Sequence, residues 1–205
     1  MAIIARWKRY LRTAITLAYH ARYRLLGIPV PRTRDVLGLW EQRGTFWMDE
    51  MQHADPRVKA DHARMSSLFV EELRAAGFTR LLDVGCGYGM RLKPLHEAFP
   101  GKTLVGLDFS LNMLRNSQLY LRGLGLSVFH ADATQIPFAD GSFDAAITWS
   151  VLNVMPPEVM RRTLREVRRV MRGVFVVMEE DAKRDNERAR EEHALAEWYF
   201  AHDYE

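Results

Sequence analysis

The 205-residue sequence contains a single cysteine, Cys86, and lacks any run of about 20 consecutive apolar residues. One cysteine excludes an internal disulfide and a zinc site built from several thiolates, and we expect no metal site. Without a long apolar run, no bilayer-spanning helix is predicted. Arginines scattered through residues 1–26 also interrupt the apolar core that a secretory signal needs. We expect a cytoplasmic protein, with peripheral membrane contact through residues 1–26 as an option.

The basic side chains are concentrated at the N-terminus. Residues 1–40 carry eight basic side chains and one acidic side chain, whereas the other 165 residues carry 21 basic and 25 acidic side chains. Apolar residues recur at helical spacing from Ile3 to Leu25, which predicts a basic amphipathic helix. Three roles for this helix are open: a cap on the substrate cleft, a contact with a membrane surface, or a contact with RNA phosphates.

From residue 80 onward, short apolar runs alternate with helical stretches. The runs, rich in Val, Leu, Ile and Phe, predict strands at 80–85, 103–108, 126–131, 143–149 and 173–178. Helical spacing predicts helices near 90–98, 110–122 and 157–171. A longer helix is expected between Asp55 and Gly77, with Val58 and Leu68 on its apolar face. This alternation predicts an α/β fold, with a mostly parallel sheet and helices on both faces.

We divide the chain into four parts on this basis. They are the basic helix and linker (1–40), a helical cap leading into the core (41–78), a ligand-binding core (79–180) and a charged helical tail (181–205). The charge run of the tail is typical of a solvated helix face.

Three predicted loops meet at the carboxyl ends of the strands, where parallel sheets bind ligands. The first, Gly85–Gly89, has G-x-G-x-G spacing, which differs from the G-x-G-x-x-G of dinucleotide-binding loops and argues against NAD. Asp108 could accept hydrogen bonds from ribose hydroxyls or cap the next helix. Asp132 could accept from an exocyclic amine such as the adenine N6 group, and the Ala133 N–H could contact a ring nitrogen.

The motifs LLDVGCGYG, LVGLDFSLNML, HADATQIPFADGSFDAAITWSVLNVM and EVMRRTLREVRRVM occur in this order. Together they resemble the class I S-adenosylmethionine-dependent methyltransferases, with a type 11-like domain, from about residue 56 to residue 180. The resemblance implies a three-layer Rossmann-like fold, S-adenosyl-L-methionine as cofactor and S-adenosyl-L-homocysteine as product. It also implies these cofactor contacts: Asp83, Gly85, Cys86, Gly87 and Gly89 for the methionine portion, Asp108 for the ribose, Phe109 and Met113 for the adenine rim, Asp132 and Ala133 for the adenine edge, and Trp149 and Ser150 beside the cofactor. Phe109 and Met113 would equally suit a helix that packs on the sheet.

The sequence determines the catalytic groups poorly, because methyl transfer from an activated donor depends mainly on alignment. Candidate bases are Ser150, Asn153, Glu179, Glu180 and His53, although Glu179 would also suit an acidic helix N-terminus. The run WSVLNVMPPE lacks the Asn/Asp/Ser-Pro-Pro-aromatic motif that relatives use on base amines. Methylation of a base amine is therefore disfavoured, and nucleic acid is not the expected partner.

The expected function is methyl transfer to an O or N atom of a small-molecule, glycan or lipid-linked acceptor. The alternatives are an RNA methyltransferase and a noncatalytic methyltransferase-like binding subunit. The family's sheet normally continues beyond the fifth strand with an antiparallel pair, for which no pattern is present here. We therefore expect missing or shortened C-terminal strands, and an exposed edge after the fifth strand that is suited to self-association or a partner.

Overall fold

The computed structural model of the protein describes residues 33–179. The predicted basic helix of residues 1–26, the charged tail and Glu180 lie outside these residues. The described helices are α1 (Thr33–Gly44), α2 (Trp47–Gln52), α3 (Pro56–Ala76), α4 (Leu92–Ala98), α5 (Leu111–Tyr120) and α6 (Pro157–Val170). The strands are β1 (Arg80–Val84), β2 (Thr103–Asp108), β3 (Ser127–His130), β4 (Phe143–Trp149) and β5 (Met171–Met178), and a short 3₁₀ helix covers Leu152–Val154.

The strands form one sheet in the order β3-β2-β1-β4-β5, and all neighbouring pairs are parallel. This confirms the predicted parallel α/β fold. Strand order reverses between β1 and β4, and a crevice at the carboxyl ends of these two strands is where such sheets bind ligands. Within the described residues β5 is an edge strand, so the partner contact expected there stays a prediction.

The core lies on both faces of the sheet because successive residues of a strand point to opposite sides. Leu81 of β1 belongs to a buried cluster with Phe69 of α3. Leu82 belongs to a second cluster with Val167 of α6. Helices thus cover both faces, as the apolar strands require.

Helix α3 begins and ends at the residues that the sequence indicated. The Asp55 side chain accepts a hydrogen bond from the Arg57 N–H at 2.8 Å, and Gly77 ends the helix with φ = 69°. The apolar face was predicted less well, since Val58 and Leu68 are each 40% exposed. Among the described residues, no helix is long and apolar enough to cross a membrane.

Helix α1 runs through residue 40, where the sequence placed a boundary, and packs against α5. The Asn112 side chain donates to the Glu41 carbonyl at 3.0 Å, and the Asn116 side chain donates to the Gly44 carbonyl at 2.6 Å. A Cβ on Gly44 would lie 2.8 Å from Ser110 Oγ, so glycine permits this close approach. These contacts hold α1 over the carboxyl end of β2.

Candidate active site

A cavity of about 480 Å³ opens at the carboxyl ends of the strands, beneath α1 and α2. Its lining includes all but one of the residues that the resemblance assigned to cofactor binding: Asp83, Gly85, Cys86, Gly87, Asp108, Phe109, Met113, Asp132, Ala133, Trp149 and Ser150. Residues that are distant in the sequence therefore share one site. Within residues 33–179, no cluster of acidic, His and Cys side chains is arranged to hold a metal ion.

The glycine loop is bound to β2 and crowded by the segment after β4. The N–H groups of Gly85 and Cys86 both donate to the Leu107 carbonyl, at 2.8 and 3.0 Å. Gly85 has φ = 72°, and a Cβ there would lie 2.5 Å from a Val151 methyl carbon. Gly87 has φ = 57° and more space around it. The loop therefore presents bare backbone to the cavity, which permits close approach of a ligand.

Gly89 is the exception among the predicted cofactor residues, since it does not line the cavity. It is buried with φ = 88°, and a Cβ there would lie 2.5 Å from Leu121 Cδ1. Its role is therefore in packing the loop against the end of α5. The motif spacing could not distinguish this role from a ligand contact.

Asp108 fixes the loop as well as lining the cavity. One carboxylate oxygen accepts from the Gly87 N–H and the other from the Ser110 N–H, each at 2.8 Å. Burial raises the pKa of Asp108, and these two hydrogen bonds oppose the rise. Ser110 is the N-cap of α5, since its hydroxyl accepts from the Met113 N–H at 3.1 Å. Each Asp108 oxygen keeps a further lone pair for a ligand hydroxyl.

Asp83 lies at the end of the cavity next to the glycine loop. It is 3% exposed, and its Oδ2 has no hydrogen-bond partner among the described residues. Burial raises the pKa of Asp83 to about 7, although the charge of Arg91 opposes the rise. A buried carboxylate oxygen without a partner is costly unless a ligand donates to it. The ammonium of the cofactor's methionine portion fits this position.

The opposite end of the cavity has the features of a nucleobase site. Asp132 is exposed, and its carboxylate accepts from the Thr134 N–H at 2.8 Å, while Ala133 is buried beside it. Phe109 is half-buried, and Met113 is 4% exposed. Met113 therefore packs in the core and lines the cavity at once, as both interpretations of its position expected.

Arg91 is a site residue that sequence reasoning missed. It is 4% exposed, and its guanidinium carbon lies 3.4 Å from the centroid of the Trp149 ring. One terminal nitrogen donates to the His62 carbonyl at 2.9 Å and to the Ser66 hydroxyl, and the other lies 3.0 Å from His62 Nδ1. Burial lowers the pKa of Arg91 to about 10, so the side chain is charged at neutral pH. The available signal was an arginine two residues after the glycine loop, at the N-cap of α4.

Of the catalytic candidates that the structure describes, Ser150 lines the cavity, whereas Asn153, Glu179 and His53 do not. His53 is exposed, and its ring nitrogen Nδ1 lies 2.9 Å from the Asp49 carbonyl oxygen. Asn153 is 2% exposed and lies within the 3₁₀ helix. Their nearness in sequence to strand ends and to the cap did not bring them to the site.

Glu179 also turns away from the cavity. Its carboxylate accepts hydrogen bonds from the backbone N–H groups of Val151, Leu152 and Asn153, at 2.9, 3.1 and 3.2 Å. Burial raises the pKa of Glu179 to about 7, and these hydrogen bonds oppose the rise. Glu179 thus caps the 3₁₀ helix, and its candidate role as a base stays a prediction.

The part of the cavity facing α1 and α2 is aromatic and apolar. The Trp40 and Trp47 rings lie edge to face with centroids 6.3 Å apart, and the Arg43 guanidinium lies 4.2 Å from the Trp47 centroid. The segment after β4 and the start of α6 also line the cavity, with Val154, Met155, Pro156, Val159 and Arg162. The carboxylates that line the cavity are Asp83, Asp108 and Asp132, all at the strand ends. The α1–α2 side is therefore suited to an apolar group.

Comparison with known proteins agrees with this geometry. Residues 81–173 match the family model of a methyltransferase domain. A demethylmenaquinone methyltransferase of Renibacterium salmoninarum is 38% identical over 119 residues, which cover 57% of this chain and 47% of that protein. Methyltransferase GfsG of Streptomyces halstedii is 32% identical over 131 residues, which cover 62% of this chain and 45% of that protein. The chain thus spans about half the length of these curated relatives.

Solved structures share the fold. The [4+2]-cyclase SpnF has a TM-score of 0.61 at 24% identity, covering 74% of this chain and 61% of its own. S-adenosylmethionine-bound CalS10 of Micromonospora echinaspora, an amino pentose methyltransferase, has a TM-score of 0.52 at 25% identity, covering 60% of this chain and 53% of its own. A cyclase among these neighbours shows that the fold alone does not determine the reaction. The domain match, the relatives and the sheet support the class I S-adenosylmethionine-dependent methyltransferase family for the domain of residues 81–173.

Proposed function

We propose that the protein transfers a methyl group from S-adenosyl-L-methionine to a small-molecule acceptor and releases S-adenosyl-L-homocysteine. The observation that carries this proposal is the pairing of bare glycine backbone with the unpartnered Asp83 oxygen in one cavity. This pairing suits a ligand in which the ammonium group of an amino acid is joined to a nucleoside. When bound, the cofactor supplies a methyl group on a positively charged sulfur.

The proposed placement uses three strand ends. Asp83 and the backbone of Gly85 and Gly87 hold the methionine portion. Asp108 accepts from the ribose hydroxyls with the lone pairs that its backbone hydrogen bonds leave free. Asp132 and the Ala133 N–H bind the adenine edge. Asp83 and Asp108 belong to β1 and β2, and the other residues lie in the loops that follow strands. Because the sheet fixes these positions, the protein keeps the site formed without the cofactor, which lowers the entropic cost of binding.

The acceptor is proposed to enter between the α1–α2 side and the segment after β4. Trp40, Trp47 and Met155 offer an apolar surface there, and Arg162 adds a cation at the rim. Since the cavity's carboxylates lie on the cofactor side, a planar or lipid-linked acceptor that is neutral or anionic suits this surface better than an amine cation. The relatives named demethylmenaquinone methyltransferases support a small-molecule acceptor.

The chain's contribution to the chemistry is proposed to be alignment and exclusion of water. On the α1–α2 side, no carboxylate lines the cavity within the described residues. This side therefore offers no carboxylate, within the described residues, that could act as a base. The tryptophans would enclose the acceptor and align its reacting atom with the methyl group, since reaction requires an approach of about 3 to 3.5 Å. An O–H or N–H acceptor would release its proton to solvent as the methyl group is transferred.

Calorimetric titration with S-adenosyl-L-homocysteine tests the proposal. We expect one binding site per chain, and we expect Asp108→Ala to weaken binding by about tenfold or more because two hydrogen bonds to a charged acceptor are lost. Asp140→Ala is the matched control, since the side chain of Asp140 is 80% exposed and does not line the cavity.

Circular dichroism must show that both variants remain folded, because Asp108 also holds the glycine loop. A folded wild-type protein that binds neither the cofactor nor its product would overturn the proposal and favour the noncatalytic subunit. Binding without methyl transfer to any extracted small molecule, but with transfer to RNA, would favour the RNA alternative.

A further inference from the structure

The surface proposed for the acceptor carries a cation whose donors the protein does not use. Two arginines line the cavity, Arg91 and Arg162. The terminal nitrogens of Arg91 are occupied by His62 and by the Ser66 hydroxyl. Arg162 is exposed, and within residues 33–179 no ion pair or hydrogen bond engages its side chain. Its N–H donors are therefore available to a ligand.

The sequence of α6 offers Arg162 two carboxylates, and both are bound by other arginines. Glu158 and Glu166 lie four residues before and after Arg162, a spacing at which side chains of a helix meet. The Glu158 carboxylate pairs with Arg161. The Glu166 carboxylate accepts two hydrogen bonds from Arg169, at 2.9 and 2.8 Å. The positive charge of Arg162 is thus left for the cavity.

Helical spacing also places Arg162 beside the apolar part of the cavity. Val159 lies three residues before it on the same face of α6, and both line the cavity. Leu37 of α1 lines the cavity too, although 39% of it is exposed. An apolar lining with one charged donor suits a ligand that is apolar over most of its surface and anionic at one end.

Trp40 adds a second donor that lacks an acceptor. Its Nε1 is buried and has no hydrogen-bond partner among the described residues. A buried indole N–H usually finds a partner, so this one indicates a ligand oxygen. The acceptor surface therefore presents N–H donors and, in the described part of the chain, no carboxylate. Donors of this kind bind anionic oxygen more strongly than neutral oxygen.

We propose that the acceptor is a planar aromatic acid and that Arg162 determines this specificity by binding its carboxylate. A carboxylate matches the planar fork of a guanidinium and accepts two parallel hydrogen bonds from it. Trp40, Trp47 and Val159 contact the ring system of the acceptor, and the carboxylate orients that ring system toward the methyl group. This inference rests on the proposed function, since it names the class of acceptor for the same site.

Three naphthalene probes with different charges test this inference: 2-naphthoate is anionic at pH 7, 2-naphthol is neutral and 2-naphthylmethylamine is cationic. Their dissociation constants are measured by ligand-observed NMR on the full chain with S-adenosyl-L-homocysteine in excess. We expect the wild type to bind 2-naphthoate about tenfold more tightly than 2-naphthol, and the amine most weakly. Arg162→Met should abolish the preference for 2-naphthoate while changing the affinity for 2-naphthol by less than about threefold. Arg162→Glu should make the amine the preferred probe.

Arg165→Met is the matched control, because it removes the same charge from an exposed position of α6 that does not line the cavity. It should keep the preference for 2-naphthoate, and circular dichroism should show that all variants are folded. Equal loss in Arg165→Met would assign the preference to the overall charge of α6 and overturn the role of Arg162. A preference that survives in Arg162→Met would overturn it as well.

The wild type separates this inference from the proposed function. Binding of S-adenosyl-L-homocysteine together with equal affinities for 2-naphthoate and 2-naphthol, or with no binding of any probe, would overturn the aromatic acid and leave the cofactor site intact. Failure to bind both S-adenosyl-L-homocysteine and S-adenosyl-L-methionine would refute the proposed function itself.

Discussion

Replacing Asp83 by asparagine should stabilise the ligand-free protein and weaken its cofactor binding. Burial raises the pKa of Asp83 from its ordinary value of 3.8 to about 7. At pH values between these two pKa values, Asp83 holds its proton in the folded chain but has released it in the unfolded chain. The free energy of unfolding therefore falls as the pH rises from about 4 to about 7, and it levels off above that range. Asparagine removes this cost because it has no charge to bury.

The rise in the pKa of Asp83 from 3.8 to about 7 corresponds to about 4 kcal/mol, because each pKa unit is worth about 1.4 kcal/mol. The Asp83→Asn variant should therefore gain about 4 kcal/mol over the wild type at pH 8, but only about 0.5 kcal/mol at pH 4. For a chain of this size, 1 kcal/mol moves the melting temperature by about 2 to 4 °C. The expected gain at pH 8 is thus about 10 °C.

Thermal melts of both proteins from pH 5 to pH 8, without ligand, measure this difference. The same melts with S-adenosyl-L-homocysteine in excess should reverse the order, because binding stabilises the wild type in proportion to the logarithm of its affinity. Asp140→Asn, at a side chain that is 80% exposed, serves as control and should differ little from the wild type. A constant gap across this pH range, or a variant that is less stable at pH 8, would refute the assignment of Asp83 as a buried charge awaiting a cation.

Three further substitutions test packing, capping and the cap helices. Gly89→Ala should cost about 2 kcal/mol or more in a denaturant titration, because the added Cβ has no space, whereas Gly123→Ala, with φ = 82° and open space around it, should cost about 1 kcal/mol. Ser110→Ala should lower the melting temperature by about 2 to 4 °C through loss of the N-cap of α5, and an unchanged value would contradict the capping role. Arg43→Ala should speed amide hydrogen exchange in α1 and α2 because a cation stacked on Trp47 is lost, and unaltered exchange would show that the stack is not stabilising.

The sheet was predictable because its strands are buried on both faces and so appear as unbroken apolar runs. The exact junction of α6 and β5 was not predictable. The sequence placed the helix at 157–171 and the strand at 173–178, but α6 ends at Val170 and β5 begins at Met171 without a loop. Gly173 is the third residue of β5, and a Cβ there would lie 2.2 Å from the Asp144 carbonyl oxygen. Such a close contact between strands depends on their register, which local patterns do not contain.

That the predicted cofactor residues line one cavity was predictable for a related reason. Its residues lie in motifs that directly follow strands, and parallel strands bring their carboxyl ends to one edge. The pair formed by His62 and Arg91 is separated by 29 residues, and its contact depends on how α3 packs over the glycine loop. The place of Glu179 at the end of a strand did not reveal that its side chain turns toward the 3₁₀ helix.

The Glu179 side chain points toward the segment after β4, and this orientation explains how β5 contributes to a cavity that it does not line. The Glu179 carboxylate holds the N–H of Val151, and the side chain of Val151 occupies the space that a Cβ on Gly85 would need. Gly85 in turn donates to the Leu107 carbonyl of β2. A continuous series of contacts thus joins the ends of β5, β4, β1 and β2. Because these contacts are all short and between buried or half-buried groups, a displacement of β5 would shift the glycine loop, so the position of the edge strand and the shape of the cofactor site are set together.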